Sequence, residues 1–418
     1  MLLGRSKLRS AALKALLSFF GTAVALILLE GVLRFYNPFQ TRIRGRRLIL
    51  PVSKRVRIKN NIVKRLDPVI TVTLNSLGFR GAEPPDDFRR YLTIIAVGGS
   101  TTYCWMLSDE KTWPAGLGNR LGKSFEGVWI NNAGLMGNTT SAHIILLEEV
   151  VGKLHPKVLL FLVGANDLAV GCFRSEYGSE YLKGRISFKS VKAFVRTLSA
   201  YSEVVSLALD LFRNLTAYRA GLIECNLDLT KAGYLKVSRE AEDQYVADCS
   251  EWYIQSYETR LKRLIDISRE AGSEPVLITQ PLLSGPAVDD VTNTDLATIK
   301  VDETRNGEMW WEALEAYNDV TRKVGRERNV LVIDLARQMP KSSRYFWDWV
   351  HYTNEGAQVV ADIVYKSLCP MLASKFPQYV KQGCAEVHDL EPPTMGKSEF
   401  ARLSADRRGS TTSSQADR

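Results

Sequence analysis

The chain has 418 residues, of which 45% are hydrophobic and 24% are charged, the composition of a globular protein with a large core. This excludes a wholly disordered, collagen-like or multi-span membrane protein. The formal net charge is +9, but residues 1–65 hold fifteen Lys and Arg and one acid, Glu30, so the remainder is mildly acidic. Because the basic excess is confined to the N-terminus, a core that binds nucleic acid or another polyanion is not expected.

The first predicted element is an apolar segment. Residues 15–29 carry no charge, and with Glu30 near its end the stretch reaches Leu33, which is long enough to cross a bilayer as a helix. It has neither the polar stripe of a core helix nor the small-residue cleavage site of a secretory signal peptide. We therefore predict a basic N-terminal tail at 1–14 and one uncleaved transmembrane anchor at 15–33.

The orientation of this anchor is not decided by charge. Lys and Arg flank the apolar segment on both sides, so the positive-inside rule does not favour a cytoplasmic N-terminus. Six cysteines, an even number, are compatible with an oxidising compartment. We expect the large domain to lie outside the cytoplasm, after a basic juxtamembrane linker and lead-in at 34–90. The first part of that segment, about 34–66, is either solvated or lies on anionic lipid headgroups.

Apolar strands alternate with helical patterns through most of the remaining chain. The predicted strands are 92–97, 128–132, 157–163, 275–279 and 330–335, and the predicted helices are 139–154, 239–271, 308–328 and 355–373. Continuous apolar strands between helices are typical of a parallel sheet that is covered on both faces. The fold class is therefore α/β, with a central parallel sheet of about five strands.

The domain boundaries follow from the places where this alternation of strands and helices is interrupted. The α/β domain is expected at 91–385. Residues 168–238 are too long for a simple crossover and are interpreted as a partly helical insertion. Residues 281–306 form a long loop, of the kind that often serves as a lid or binding loop. The tail at 386–418 is rich in Ser, Thr, Arg and Asp, and is predicted to be disordered.

Polar clusters follow the predicted strands at the edge where parallel sheets place their sites. Taken singly, each cluster also fits a helix cap or a tight turn. Taken together, they supply the groups that acyl transfer needs. The clusters are Gly98–Thr102, Asn132–Asn138, Gly164–Asp167 and Trp347–Thr353.

A serine hydroxyl is a weak nucleophile that needs a neighbouring base, and histidine held by a carboxylate is the usual one. Ser100, His351 and Asp348 are the candidates, since Asp348 and His351 are three residues apart. The N–H groups of Ser100 and Gly137 and the side chain of Asn166 are candidate donors to the oxyanion. The other histidines, which are interpreted as structural, are His143, His155 and His388. No paired His and Cys spacing suggests a zinc site, so no metal is expected.

The order of these clusters resembles the SGNH (GDSL-type) hydrolases, in particular membrane-anchored bacterial-type members. Four blocks occur in sequence: the serine block Gly98-Gly99-Ser100-Thr101-Thr102, the glycine block at Gly137, the asparagine block Gly164-x-Asn166-Asp167 and the histidine block Asp348-x-x-His351. Gly99 stands where the family name has Asp. The segment Asn75–Gly81 also recurs in anchored members. The resemblance implies a flavodoxin-like three-layer α/β/α sandwich that needs no metal or organic cofactor.

These observations predict a membrane-anchored serine esterase that hydrolyses an acyl ester, an O-acetyl group on a carbohydrate, through an acyl-serine intermediate. An alternative is an O-acyltransferase that modifies a cell-surface polysaccharide with the same triad. A second alternative is a noncatalytic glycan-binding or assembly protein. The expected partners are an acylated small molecule or glycan and the lipid bilayer, and not nucleic acid. Aromatic residues near the site, Tyr103, Trp105 and Trp347 among them, either pack internally or stack on a sugar ring.

The cysteines offer a test of the predicted strand order. If the first and third predicted strands are neighbours, as the resemblance implies, two cysteines lie in loops at the same edge of the sheet. A disulfide between them would tie the insertion to the nucleophile loop. The candidate pairs are Cys104 with Cys172, Cys225 with Cys249, and Cys369 with Cys384. The alternative for the first pair is that both are free, buried thiols.

Overall fold

A computed structural model describes residues 2–35, 42–44, 47–172, 195, 198–199, 201–219, 227–251 and 253–384. These residues belong to two compact units. The first unit joins residues 1–53 to part of the predicted insertion, 179–224. The second joins 54–178 to 225–418. The predicted disordered tail at 386–418 lies outside the described residues, as does much of the insertion.

The helices and strands are numbered in chain order. The strands are β1 (Arg42–Arg44), β2 (Arg47–Ile49), β3 (Lys54–Lys59), β4 (Val69–Leu74), β5 (Arg80–Gly81), β6 (Leu92–Gly98), β7 (Val128–Gly134), β8 (Val158–Leu162), β9 (Glu274–Ile278) and β10 (Leu331–Ile333). The helices are α1 (Leu2–Phe35), α2 (Ser100–Tyr103), α3 (Trp113–Ser124), α4 (Thr140–Glu149), α5 (Ala165–Cys172), α6 (Glu203–Arg219), α7 (Arg239–Ser250), α8 (Ile254–Glu270), α9 (Gly307–Arg328), α10 (Leu335–Gln338) and α11 (Asn354–Lys375).

The first unit contains the predicted anchor. Helix α1 is 34 residues long, so it includes the basic tail as well as the apolar segment. Within it, the 23 residues Leu13–Phe35 are long and apolar enough to cross a membrane. Strands β1 and β2 pair antiparallel, and helix α6 of the insertion packs against α1.

The second unit is built on one eight-stranded sheet, in the order β10-β9-β8-β6-β7-β5-β4-β3. Strands β10, β9, β8, β6 and β7 are parallel, which confirms the five strands expected from their apolar runs. Every residue of β6 and β8 is buried, because helices cover both faces of the sheet. Helices α3 and α11 pack together in one group, and α4, α8 and α9 pack in another.

The expectation of about five strands was wrong for the whole sheet. Strands β3, β4 and β5 add an antiparallel extension beyond β7, and they come from the segment that was interpreted as linker and lead-in. Strand β4 alternates buried and partly exposed residues, whereas β3 is a mostly exposed, Lys- and Arg-rich edge strand. Such charges protect a sheet edge from further pairing, and in a sequence they look like a solvated linker.

One predicted helix is divided in two. The pattern at 239–271 forms α7 and α8, with Glu251 capping the first and Tyr253 preceding the second. Two contacts hold the chain at this break. Cys249 at the end of α7 is bonded to Cys172, and the buried Tyr253 ring lies 4.4 Å from the Arg260 guanidinium carbon.

The disulfides correct two of the expected pairings. Cys172 is bonded to Cys249, which joins α5 to α7, so the predicted pairs of Cys172 with Cys104 and of Cys249 with Cys225 are both wrong. Cys104 is a free, buried thiol, and its Sγ lies 3.5 Å from the Thr101 carbonyl oxygen beneath the nucleophile loop. Cys225 lies outside the described residues. The expected bond between Cys369 and Cys384 is confirmed.

Candidate active site

Ser100 is the first residue of α2, directly beyond the carboxyl end of the central strand β6. The turn between them is tight. A Cβ atom added at Gly98 would overlap the Thr102 hydroxyl and the backbone carbonyl of Leu162 on β8. Only glycine fits at this position, because the strand end and the helix start are pressed against the neighbouring strand. The close turn presents Ser100 at the edge of the sheet.

The structure brings Ser100, His351 and Asp348 into one hydrogen-bonded chain, as their sequence positions predicted. The Ser100 hydroxyl oxygen lies 2.7 Å from His351 Nε2. The other ring nitrogen, Nδ1, lies 2.6 Å from Asp348 Oδ2. A carboxylate on Nδ1 favours the tautomer that leaves Nε2 free to accept the serine proton.

Asp348 is held as an anion by its own loop. Its Oδ1 accepts hydrogen bonds from the backbone N–H groups of Val350, at 2.9 Å, and His351, at 2.7 Å. Burial alone would raise the pKa of this carboxyl. The charge of His351 and the hydrogen bonds outweigh burial, so the pKa lies below its usual value. The loop therefore fixes both the charge of Asp348 and the direction of the imidazole.

Two tryptophans enclose the imidazole. The Trp347 ring stacks on His351, with centroids 5.2 Å apart and an angle of 14° between the planes. Trp105 meets the same ring edge-on at 5.8 Å and contacts Trp347 at 5.5 Å. Trp347 is fully buried, so its role is packing and not sugar stacking, whereas Trp105 is partly exposed. Tyr103 also packs internally, 5.0 Å from the guanidinium carbon of Arg80.

The candidate oxyanion donors lie beyond the carboxyl ends of β6, β7 and β8. Gly137 has a φ of +68°, in the left-handed region that favours glycine. Among the described residues, neither its N–H nor that of Ser100 has an acceptor. Asn166 Nδ2 donates to the Asn138 carbonyl at 2.9 Å. A Cβ at Gly99 would overlap this same nitrogen, which places the amide beside the residue that precedes the nucleophile.

A buried ion pair between Asp167 and Arg260 lies next to Asn166. Asp167 accepts hydrogen bonds from the Thr140 hydroxyl at 2.6 Å and from Arg260 Nη2 at 3.2 Å. Arg260 Nε in turn donates to the Thr140 hydroxyl oxygen at 2.8 Å. Burial raises the pKa of Asp167, although Arg260 and Thr140 oppose the shift. The network ties α5, which carries Asn166, to α4 and α8.

Arg80 contacts the loop that follows Ser100, and it was not assigned a role from the sequence. Its buried guanidinium donates to the carbonyl oxygens of Tyr103, at 2.6 Å, and Leu107, at 2.8 Å. It also pairs with Asp109 at 2.9 Å. These partners span the loop that follows Ser100. The signal in the sequence was the Asn75–Gly81 segment, a tight turn that delivers Arg80 into β5.

Arg65 has a matching position on the other side of the site. It donates to the carbonyl oxygens of Ser343, at 2.6 Å, and Phe346, at 2.5 Å. These residues immediately precede the turn that carries Asp348 and His351. No motif marks Arg65 in the sequence. Its role follows only from the fold, because the antiparallel extension brings it within reach of residues about 280 positions away.

The other described histidines lie outside this triad. His143 is buried, and its Nε2 lies 3.0 Å from the Gly98 carbonyl oxygen. His155 Nδ1 lies 2.9 Å from the Ala271 carbonyl oxygen. His388 lies outside the described residues. In the described part of the chain, no group of three or more His, Cys, Asp and Glu side chains is arranged to hold a metal ion.

Residues 96–359 match the model of the GDSL-like lipase/acylhydrolase family. The match covers more than half of the chain and includes the Ser100–His351–Asp348 triad and the candidate oxyanion donors. The chain therefore belongs to this family, and it is an ester-hydrolysing enzyme. A comparison with curated proteins found no match.

Several solved structures are similar in fold. A GDSL-like lipase from Parabacteroides merdae shares 15% identity, covers 66% of this chain and 95% of its own, and has a TM-score of 0.39. An acetylxylan esterase from Geobacillus stearothermophilus shares 14%, with coverages of 66% and 93% and a TM-score of 0.37. A lipolytic protein of the G-D-S-L family from Desulfitobacterium hafniense shares 12%, with coverages of 65% and 97% and a TM-score of 0.35.

Proposed function

We propose that Ser100 is the nucleophile of ester hydrolysis, His351 its general base, and Asp348 the carboxylate that orients the base. The continuous hydrogen-bonded chain from Ser100 Oγ through both nitrogens of His351 to Asp348 carries this proposal. The distances of 2.7 and 2.6 Å are within the reach that proton transfer requires.

In the first half-reaction, Ser100 Oγ attacks the ester carbonyl carbon while its proton passes to His351 Nε2. The carbonyl oxygen becomes an oxyanion that accepts hydrogen bonds from the N–H groups of Ser100 and Gly137 and from the Asn166 amide. As the tetrahedral intermediate collapses, the bond to the alcohol oxygen breaks. His351 returns its proton to that oxygen, which leaves an acyl-serine.

In the second half-reaction, a water molecule replaces the alcohol. His351 takes a proton from the water, and the resulting hydroxide attacks the acyl carbon. As the second intermediate collapses, the bond between the acyl carbon and Ser100 Oγ breaks, and His351 returns its proton to Oγ. The carboxylic acid is released and the Ser100 hydroxyl is restored. Asp348 stays ionised throughout, because its hydrogen bonds favour the charged form.

The substrate class that we favour is an O-acetyl ester on a carbohydrate. The support is the partly exposed Trp105 beside the imidazole, since aromatic rings offer flat apolar surfaces to sugar rings. If a glycan hydroxyl replaced water in the second half-reaction, the same residues would perform O-acyl transfer.

We place the enzyme at a membrane, with its catalytic unit outside the cytoplasm. Helix α1 supplies an apolar segment of sufficient length. The two disulfides support an oxidising compartment, because such bonds rarely persist in the cytosol.

The test of this function is hydrolysis of p-nitrophenyl acetate and of longer acyl esters by the full chain in detergent. Ser100→Ala and His351→Ala should each lower kcat by roughly 10³-fold or more. A fluorophosphonate probe should label the wild type and not Ser100→Ala. Labelling that persists in Ser100→Ala would remove Ser100 from the mechanism, and an absence of both labelling and turnover would favour a noncatalytic protein.

Product analysis with an acetylated glycan separates the two reactions. Release of free acetate that is unchanged by an added glycan acceptor supports the hydrolase. Transfer of the acetyl group to the acceptor would contradict the hydrolase proposal and support the acyltransferase.

A further inference from the structure

Glu30, near the C-terminal end of the apolar segment of α1, binds the start of the insertion helix α6. Its carboxylate accepts hydrogen bonds from the backbone N–H of Glu203, at 3.0 Å, and of Val204, at 3.1 Å. It also accepts one from the Ser202 hydroxyl at 2.9 Å. The first N–H groups of a helix have no partner within the helix, and a carboxylate is their natural cap. Ser202 Oγ accepts from the Val205 N–H at 3.3 Å, so the cap of α6 is shared between its own Ser202 and a residue of another helix about 170 positions away.

Arg34 completes this contact from one turn further along α1. Its Nε donates to Glu30 at 2.9 Å, and its Nη2 donates to the Tyr201 carbonyl oxygen at 2.9 Å. The same carboxylate is therefore bound by one cation and three donors from the segment that begins α6. Such charge-assisted bonds are stronger than neutral ones. They also remove the penalty of an unpaired acid at the end of an apolar span.

This contact bears on whether α1 is an anchor or a cleaved leader. Both Glu30 and Arg34 would be lost if α1 were removed, and the first N–H groups of α6 would lose their acceptor. These contacts therefore favour retention of α1 as an anchor over its removal as a leader.

Among the described side chains of α6, three exposed apolar residues share one face. Ala208, Leu211 and Phe212 are spaced to lie on one face of the helix, and all three are exposed. The exposed fraction is 61% for Leu211 and 67% for Phe212. Helix α1 likewise exposes apolar residues, Phe20 at 66% among them. A water-facing helix normally carries polar residues on this face, so the pattern indicates an apolar surrounding.

We propose that α6 is a second membrane-contacting element, fastened to the anchor α1 by Glu30 and Arg34, and that its Ala208–Leu211–Phe212 face lies in the lipid bilayer. This inference rests on the proposed membrane anchor. It assigns part of the insertion to lipid binding, separate from the chemistry at Ser100.

The test places a photoreactive benzoylphenylalanine in the full chain, which is reconstituted into vesicles of phosphatidylcholine and phosphatidylglycerol. The probe replaces Phe212 in α6, Phe20 in α1 or, as a control, Tyr234 of the second unit, which is 60% exposed. Positions 20 and 212 should cross-link to lipid, and position 234 should not. Lipid cross-linking at 20 without any at 212 overturns the role of α6, whereas its absence at both positions overturns the anchor itself.

The fastening is tested by hydrogen exchange of the peptide that contains Glu203 and Val204, in the same vesicles. Glu30→Gln keeps the size of the side chain and removes its charge. The two amides should exchange about tenfold faster in this variant, because hydrogen bonds to a charged acceptor are lost. An unchanged exchange rate would show that Glu30 does not hold α6, while unchanged cross-linking at position 20 would show that the anchor is intact.

Discussion

Gly99 is the residue at which this chain departs from the letters that name its family. The structure gives the departure a physical reason. Any Cβ at this position would overlap Asn166 Nδ2, the amide proposed to bind the oxyanion. Glycine here lets the amide approach the nucleophile closely, so the absence of Asp is consistent with catalysis.

Gly99→Ala should therefore displace Asn166 and lower kcat. Removing one oxyanion donor costs about 10²–10³-fold, so we expect a loss of up to that size, and Asn166→Ala should show the full loss. Steady-state kinetics on p-nitrophenyl acetate measures both. Gly122→Ala is the matched control, because a Cβ at Gly122 meets nothing within 4 Å.

The double variant Gly99→Ala with Asn166→Ala distinguishes this explanation from general disruption. If Gly99 acts only by giving Asn166 room, the double variant is no slower than Asn166→Ala alone. Additive losses would contradict it.

His143 is buried against Gly98 at the carboxyl end of β6. We expect its titration to make the free energy of unfolding depend on pH. Burial lowers its pKa to about 4, although its hydrogen bond to the Gly98 carbonyl opposes the shift. In the unfolded chain a histidine binds its proton near pH 6.5. Between these values the unfolded state holds more protons, so stability present at pH 7 is lost as the pH falls from about 6.5 towards 4.

We expect His143→Gln to remove part of this dependence. Glutamine has an amide nitrogen to donate to Gly98 and does not titrate. Between pH 7 and 4.5, the wild type should lose roughly 2–3 kcal/mol more of its free energy of unfolding than the variant. Urea denaturation at the two pH values measures the difference. Equal losses in both proteins would show that His143 is not the group responsible.

At the scale of elements, the antiparallel extension β3–β5 supports both halves of the site. Arg80 binds the loop after the nucleophile, and Arg65 binds the loop before the acid and base. A salt bridge between Lys111 and Asp67 at 2.7 Å also joins the extension to the segment that follows the nucleophile loop. The parallel strands thus carry the reacting groups, and the extension fixes the loops on which those groups sit.

Arg80→Lys keeps the charge but cannot make the forked contacts with Tyr103, Leu107 and Asp109. Because a small misplacement of a reacting group can cost about 10²-fold, we expect kcat to fall roughly ten- to hundredfold with little change in KM. The rate of fluorophosphonate labelling at Ser100 should fall in parallel. Arg57→Lys on the exposed edge strand β3 is the control and should leave both unchanged. An equal effect in the two variants would contradict a specific role for Arg80.

At the scale of the whole molecule, the bond between Cys172 and Cys249 links the two chain segments of the catalytic unit across 77 residues. In the chain-entropy model, a loop of this length stabilises the fold by roughly 4 kcal/mol, and measured values are typically 2–4 kcal/mol. The paired change Cys172→Ser with Cys249→Ser should lower Tm in a thermal melt under oxidising conditions. A similar lowering of the wild-type Tm by dithiothreitol would support this prediction. A variant with the same Tm as the wild type would show that the bond adds no stability.

The sequence alone predicted the five parallel strands and the placement of Ser100, His351 and Asp348 at one site. The strands are continuous apolar runs, which report burial on both faces without knowledge of any partner. The three polar residues follow strand ends or share one short turn, so local spacing and the parallel sheet already bring them to the same edge.

Only the tertiary structure decided the antiparallel extension, the roles of Arg65 and Arg80, and the partner of Cys249. Strand β3 is rich in Lys and Arg, and it becomes a strand through pairing with β4 and not through its own apolar pattern. The Arg65 contacts and the bond between Cys172 and Cys249 join residues far apart in the chain. Their distances in space depend on how the whole sheet is assembled, and no local property of the sequence encodes them.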